Sequence, residues 1–261
     1  MALRVRHAHA CLLLLCLGVC ANGDDRAKTG YFRVEFTPQE LLGEQGALNA
    51  SDILIDDDAL SWQIYVPDNY DASRPPGVLV YVSPTRKGGP PRRWNEALRE
   101  ENLIWIGAND AGNRVGVGKR MFLAMLAPKI LAKDYALDEE RIYVAGFSGG
   151  GKTASRVSSA KPDIFRGAIY IGGAAVWGSE TPPPRLNIIR QNYHVFLTGT
   201  QDFNERLTRR VYTAYIGAGV ENSELIVVPR MGHQLPGATV FKRAVSFLDS
   251  RHDQPSEAAG Q

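Results

Sequence analysis

The segment with the clearest chemical signature spans residues 146–150 and reads GFSGG. It places Ser148 two residues from Gly146 and two from Gly150, directly after a short apolar run and before a series of small residues. Between a strand and a helix, a G-x-S-x-G motif forms a sharp turn that exposes the serine hydroxyl. The N–H of the next residue, Gly149, then points toward a developing oxyanion. The motif therefore predicts Ser148 as the nucleophile of an acyl-transfer reaction.

The same glycines also fit a phosphate-binding pattern, G-x-x-x-x-G-K-[ST], through Gly146, Gly151, Lys152 and Thr153. That pattern requires a wide loop around a phosphate, whereas the first requires a sharp bend at Ser148, so one backbone cannot serve both. The next apolar run, AIYIGG, ends without the aspartate that binds magnesium in phosphate-transferring enzymes. We therefore favour the serine interpretation, and a turn without chemistry is the remaining alternative.

A serine nucleophile needs a base, and His233 is the best placed of the five histidines. It lies in the loop PRMGHQ directly after the apolar run 225–228, from which a side chain can reach over the sheet to the serine. The other histidines lie near the termini or, for His194, at the start of an apolar run where we expect a strand-edge residue: His7, His9, His194 and His252.

The acid that would orient His233 is predicted to be Asp202. It ends the sequence GTQD, which follows the apolar run VFL, and its carboxylate would accept the Nδ1–H of the histidine. Glu180 is the second candidate, because both acids fit the chain order serine, acid, histidine. Asp110 also ends an apolar run but precedes the serine, and we expect it to form a turn.

The elements that must position these residues can be read from eight apolar runs. The first two alternate apolar and polar residues, as half-buried antiparallel strands do, and the others are apolar on both faces, which is typical of buried parallel strands. The runs cover residues 31–36, 61–66, 78–82, 103–107, 142–145, 168–171, 195–197 and 225–228. Helical patterns between them cover about 92–100, 117–135, 151–161, 205–218 and 238–250. This alternation predicts a single α/β domain over residues 22–250, with a mostly parallel sheet and helices on both faces.

The N-terminus predicts export. Arg4 and Arg6 precede a short apolar run, CLLLLCLGV, and small residues then offer a cleavage site after Ala21. We therefore expect residues 1–21 to be a signal peptide and the protein to be periplasmic or secreted; a buried N-terminal helix and lipid anchoring through Cys20 are the alternatives. Cleavage would remove all three cysteines and leave the basic residues equal in number to the 28 acidic ones. We expect no stable membrane insertion and no nucleic-acid partner. Residues 251–261 are expected to form a loose tail.

Taken together, the strand order and the motifs GFSGG, GTQD and MGHQ resemble the α/β-hydrolase superfamily. Over about residues 60–248 the pattern is similar to exported serine esterases related to polyhydroxybutyrate depolymerases and feruloyl esterases. This resemblance implies an α/β-hydrolase fold and a carboxylic ester hydrolase with a Ser148–His233–Asp202 triad. It implies a small-molecule or polymeric ester as substrate and no cofactor. The scattered histidines and the loss of all cysteines on cleavage give no zinc-ligand spacing, so we expect no metal site. The segment 172–193 is too short for a substantial lid.

One departure from the family concerns the oxyanion hole. The family usually carries His-Gly after its third strand, whereas this chain has Ser83, Pro84 and Thr85 there. Proline has no N–H, so the N–H of Thr85 is the best candidate for the second donor beside Gly149. Two alternatives to an esterase stay open, namely a serine peptidase on the same fold and a non-catalytic binding module. Trp94 and Trp177 fit equally well as residues that flank a cleft or as packing residues.

Overall fold

The computed structural model describes residues 27–54, 59–175, 177 and 183–250. The predicted signal peptide, the predicted tail and the alternative acid Glu180 lie outside the described residues, so these predictions stay untested.

The described residues form one eight-stranded sheet with the strand order β1-β2-β4-β3-β5-β6-β7-β8. β1 pairs antiparallel with β2, β2 pairs antiparallel with β4, and every other neighbouring pair is parallel. The strands are β1 (Gly30–Phe36), β2 (Leu60–Val66), β3 (Gly77–Val82), β4 (Leu103–Ala108), β5 (Ile142–Phe147), β6 (Gly167–Ile171), β7 (Tyr193–Gly199) and β8 (Ser223–Val228). All eight predicted strands are confirmed, including the antiparallel character of the first two.

Seven α-helices accompany the sheet in the part of the chain that the structure describes. They are α1 (Pro38–Asn49), α2 (Asn95–Glu100), α3 (Val117–Leu131), α4 (Gly149–Ala160), α5 (Leu186–Ile189), α6 (Glu205–Gly217) and α7 (Ala238–Asp249). Two apolar clusters cover the two faces of the sheet. One contains residues of α1, α3, α4 and α6, and the other contains residues of α2 and α7. The predicted single-domain α/β architecture with helices on both faces is thus confirmed.

The sequence patterns did not predict two helices, the single-turn α5 and the longer α1. Its start is a capping box: the Glu40 N–H donates to the Thr37 hydroxyl at 3.2 Å, and the Thr37 N–H donates to the Glu40 carboxylate at 2.7 Å. The helix is interrupted at Gly43, whose φ of 73° lies in the left-handed region. The regular apolar spacing that identifies a helix is therefore weak in this segment. Its Thr-x-x-Glu sequence with Pro38 at the first turn was the signal available.

The topology gathers the chemical residues at one edge of the sheet. β3, β4, β5, β7 and β8 run parallel, so the loops that follow them meet at their carboxyl ends. These loops and the start of α4 contain every predicted site residue. Separately, none of the helices in the described ranges is both long enough and apolar enough to span a membrane.

Candidate active site

Ser148 forms the turn between β5 and α4. Its φ and ψ of 55° and −121° are unusual for a residue with a side chain. The surrounding structure holds this conformation, because the Ser148 N–H donates to the Ile171 carbonyl at 2.8 Å and its carbonyl accepts from Lys152 N–H at 3.2 Å. The segment therefore adopts the sharp bend of the serine motif, and a wide phosphate-binding loop is excluded.

The glycines on either side of Ser148 are required by close backbone approach. A Cβ at Gly146 would collide with the backbone of Gly150, and a Cβ at Gly150 would collide with the Val82 carbonyl at the end of β3. Strand β5, helix α4 and strand β3 thus converge at a point where no side chain fits. This convergence fixes the position of the serine relative to the loop after β3.

The three residues predicted to act together are adjacent in the structure. The Ser148 Oγ lies 2.8 Å from Nε2 of His233, and Nδ1 of His233 lies 2.9 Å from Oδ1 of Asp202. A carboxylate can only accept hydrogen bonds, so Nδ1 carries the proton and Nε2 is free to accept from the serine hydroxyl. The side chain of Asp202 is fully buried, whereas that of His233 is 19% exposed. The arrangement can therefore take a proton from Ser148 and stabilise the resulting imidazolium.

The loops that carry Asp202 and His233 are tied to each other. The Gln201 N–H donates to the Met231 carbonyl at 3.0 Å, and the Arg230 N–H donates to the Thr200 hydroxyl at 2.8 Å. Within the first loop, Oδ1 of Asp202 also accepts from the Asn204 N–H at 2.8 Å. These bonds keep the Asp202 carboxylate within hydrogen-bonding distance of the His233 imidazole, although 31 residues separate the two in sequence.

The histidine loop is also held from the opposite side of the cleft. Arg93 donates to the carbonyls of Leu235 and Pro236 at 3.2 Å and 3.3 Å, and the Trp94 indole donates to the Pro236 carbonyl at 3.1 Å. Trp94 is itself fully buried and stacked on Phe241, with ring centroids 4.1 Å apart. Trp94 is therefore a packing residue that anchors the loop rather than a wall of the cleft.

Two aromatic rings flank the imidazole of His233. The ring of Phe147 is 4.8 Å from it and the ring of Phe203 is 4.1 Å from it, centroid to centroid. Phe203 is 77% exposed, which is unusual for so large an apolar side chain. The sequence interpretation missed Phe203, although its position directly after Asp202 in an otherwise polar loop was a usable signal.

The two predicted oxyanion donors make different hydrogen bonds in the structure. The N–H of Gly149 is the first of helix α4 and therefore has no acceptor within the helix, which leaves it available to an oxyanion. The N–H of Thr85, in contrast, donates to the Ser83 hydroxyl at 3.1 Å. Thr85 is thus not a free donor here, because its loop folds back on Ser83. Its participation in an oxyanion hole stays a prediction that requires this hydrogen bond to open.

A buried arginine supports the loops around Ser148. Arg120, from helix α3, donates to the carbonyls of Ser83 and Ala111 at 2.9 Å each and to that of Gly149 at 3.3 Å. Burial lowers the pKa of this guanidinium, with a smaller contribution from the nearby cation Arg156. The sequence interpretation missed Arg120, but its spacing from the buried Leu123, Ala124 and Ala127 places it on the inner face of the helix.

The remaining candidates lie away from the serine. His194 is the second residue of β7, close to the start of the strand, as expected. It is buried, its Nδ1 lies 2.9 Å from the Tyr170 hydroxyl, and burial lowers its pKa to about 4. Trp177 stacks on Tyr215 with ring centroids 4.1 Å apart, which favours the packing role. Asp110 forms a turn and accepts from Arg86 at 2.6 Å, as expected.

Comparison with known proteins supports the fold. No protein-family model and no protein of curated function matches the sequence. Among solved structures, a ferulic acid esterase matches at 14% identity and a TM-score of 0.62, covering 86% of this chain and all of its own. The poly(3-hydroxybutyrate) depolymerase from Bordetella parapertussis matches at 17% identity and a TM-score of 0.60, and the match covers 88% of this chain and 92% of the depolymerase. Dipeptidyl peptidase 4 from Porphyromonas gingivalis matches at 15% identity and a TM-score of 0.59, but the match covers only 36% of the peptidase chain. The chain therefore has the α/β-hydrolase fold that its motifs predicted.

Proposed function

We propose that the protein is an exported serine hydrolase that cleaves carboxylic esters through an acyl-enzyme on Ser148. The observation that carries this proposal is the continuous series of contacts from Ser148 Oγ to His233 Nε2 and from His233 Nδ1 to the buried Asp202. Its position at the carboxyl edge of a parallel sheet supports the proposal, because the fold presents reactive serines there. The esterases among the similar structures support it further.

In the proposed first step, the Ser148 oxygen attacks the ester carbonyl carbon and its proton passes to Nε2 of His233. The negative charge on the carbonyl oxygen is stabilised by the N–H of Gly149 and by a second donor, for which Thr85 is the candidate. The imidazolium then returns the proton to the departing alkoxide as the carbon–oxygen bond breaks. Water hydrolyses the acyl-serine by the same route, and the proton returns to Ser148 Oγ.

A cleft beside the serine offers room for the substrate. A cavity of ≈ 320 Å³ lies between the loop after β3 and the histidine loop. Its wall is mostly apolar and includes Tyr81, Pro90, Pro91, Phe147 and Leu235. A mainly apolar pocket with few polar groups is typical of sites for small organic groups. The cavity therefore has room for the apolar part of a substrate that is a small-molecule or polymeric ester.

The test compares esters with amides. The chain from residue 22 onward is purified and given 4-nitrophenyl esters and 4-nitroanilides of the same acyl groups, in parallel with Ser148→Ala. We expect ester hydrolysis that the variant loses. Turnover of the anilides in preference to the esters would replace the esterase with a peptidase, an alternative favoured by the likeness to dipeptidyl peptidase 4.

Export is the second part of the proposal and has its own test. We expect the chain, expressed in a bacterium with a periplasm, to be recovered outside the cytoplasm with residue 22 as its N-terminus. N-terminal sequencing of the recovered protein measures this directly. An unprocessed N-terminus in the cytoplasmic fraction would contradict export while leaving the hydrolase proposal in place.

A further inference from the structure

Three neighbouring cavities with shared lining residues lie beside the site, and together they are called the groove here. The cavity described above shares Pro84 and Thr85 with a second cavity of ≈ 550 Å³ between the loops after β3 and β4. It shares Phe147 and Leu235 with a third cavity of ≈ 650 Å³ beside His233. Phe147, which directly precedes Ser148, lines two of these cavities and His233 lines one, so an extended substrate in the groove would pass beside the serine.

The charged residues that line this groove are mostly cationic. Arg86 and Arg114 line the second cavity, Lys87 lines the first, and Arg93 lines the third. Asp110 is the one carboxylate among the described residues that line these three cavities. The chain as a whole carries a formal charge of only +2, so the groove concentrates positive charge next to the serine.

Most of these cations are not neutralised by a carboxylate. Arg86 pairs with Asp110, but Arg93 donates only to the carbonyls of the histidine loop. For the side chains of Lys87 and Arg114, the described residues provide no hydrogen-bond or ion-pair partner. Elsewhere on the surface, cations such as Arg99 and Lys242 pair with neighbouring glutamates. The lining of the groove thus includes three cations without a carboxylate partner among the described residues, and such a concentration of positive charge attracts an anionic ligand.

We infer that the natural substrate is an ester that carries a carboxylate, on its acyl part or on its alcohol part. This inference rests on the proposed function and adds the substrate class to it. A carboxylate on either side of the scissile bond would lie in the groove near Arg114 or Lys87, the two cations without a partner among the described residues, while the apolar wall holds the rest of the molecule. An arginine also offers bidentate hydrogen bonds to such a group.

The experiment uses matched pairs of esters. On the acyl side, mono-4-nitrophenyl adipate is compared with 4-nitrophenyl hexanoate, which has the same number of acyl carbons. On the alcohol side, 4-acetoxybenzoate is compared with 4-acetoxybenzamide. We expect the charged member of at least one pair to have about a tenfold higher kcat/KM at low ionic strength, and the pair that shows it identifies the side. The preference should fall to about twofold in about 0.5 M salt, because screening shortens the reach of exposed charges.

Charge-removing variants locate the effect in the groove. Lys87→Gln and Arg114→Gln change side chains without partners among the described residues, so neither breaks an internal contact. Each should lower the charged-to-neutral ratio by about two- to fivefold, the range of exposed ion pairs. Lys129→Gln is the matched control, because this exposed cation lies near the far end of α3, and its ratio should equal that of wild type.

Binding to Ser148→Ala separates this inference from the proposed function. Calorimetric titration of that variant with each ester measures affinity without turnover. Tighter binding of the charged esters supports the inference even if the wild type hydrolyses nothing, an outcome that would overturn the proposed function alone. Ser148-dependent hydrolysis with no charge preference in kcat/KM or in affinity would overturn the inference alone. A preference that survives in the Lys87→Gln, Arg114→Gln double variant would also overturn it.

Discussion

The hydrogen bond from Thr85 N–H to Ser83 Oγ leads us to predict that a substitution in the site increases activity. Ser83→Ala removes the acceptor and leaves the Thr85 N–H unpaired. Thr85 is exposed and its hydrogen bond to Ser83 is only partly buried, so we expect water to satisfy the freed N–H at a small cost. If this N–H is the second oxyanion donor, the variant has a donor that is already released. We therefore expect Ser83→Ala to be more active than the wild type.

The size of the gain follows from the bond that no longer has to open. A neutral intramolecular hydrogen bond contributes about 0.5–1.5 kcal/mol net, and about 1.4 kcal/mol corresponds to a tenfold change in rate. The expected increase in kcat/KM is therefore about two- to tenfold. The donor itself is worth more, since removal of one oxyanion donor costs about 10²–10³ in rate. Because opening the bond to Ser83 costs less than an oxyanion donor contributes, the Thr85 N–H would still accelerate the reaction of the wild type.

The assay is initial-rate hydrolysis of 4-nitrophenyl esters, with melting temperatures measured alongside. Thr85→Val is the matched control: it removes the hydroxyl that bonds Ser83 Oγ and the Lys87 N–H, but keeps the Thr85 N–H and its bond. It should show no gain. A loss of activity in Ser83→Ala at unchanged melting temperature would refute the reasoning, because it would mean that the bond shapes the loop for catalysis. An unchanged rate would show that Thr85 is not the donor.

Three further predictions concern the rest of the site and its support. Asp202→Asn should lower kcat by about 10⁴-fold at an unchanged melting temperature, because an amide does not hold His233 in the required tautomer; a loss below about tenfold would contradict this. Arg120→Met should lower the free energy of unfolding in urea by about 3–5 kcal/mol, since it leaves buried loop carbonyls without donors; a loss under about 1 kcal/mol would contradict it. The pKa of His194 is about 4 in the folded protein and about 6.5 in the unfolded chain. The free energy of unfolding therefore contains the full contribution of neutral His194 above pH 6.5 and loses about 3 kcal/mol of it as the pH drops to about 4. Urea unfolding across this range measures the loss, and His194→Gln should remove that part of the slope.

The strands could be predicted because their burial is recorded directly in the sequence. Five of them, β3 to β7, are buried along nearly their whole length, and such strands are mostly apolar on both faces, whereas β1 at the sheet edge alternates. The elbow could be predicted for a similar reason, since backbone approach at Gly146 and Gly150 admits no other residue. Helix α1 was missed because it is held by its cap and broken at Gly43, and apolar spacing shows neither.

Features that depend on several loops could not be predicted. The engagement of Thr85 by Ser83 is a matter of loop conformation, and the same three residues allow a free N–H equally well. The positive groove combines residues from the loops after β3 and β4, which are apart in sequence and meet only in the folded chain. Arg120 contacts three such loops and carries no motif. Reactive residues that lie in short motifs can therefore be predicted from the sequence, whereas contacts between loops that are distant in sequence become visible only in the folded structure.

The most direct test of the central claim is covalent labelling of the purified protein by a fluorophosphonate, followed by intact-mass measurement. The probe reacts with a serine whose hydroxyl is activated by a base. The account predicts a single adduct on the wild type and on Ser73→Ala, a control that removes an exposed serine hydroxyl, and no adduct on Ser148→Ala. A folded wild type without an adduct, or an adduct that persists in Ser148→Ala, would contradict the assignment of Ser148 as an activated nucleophile.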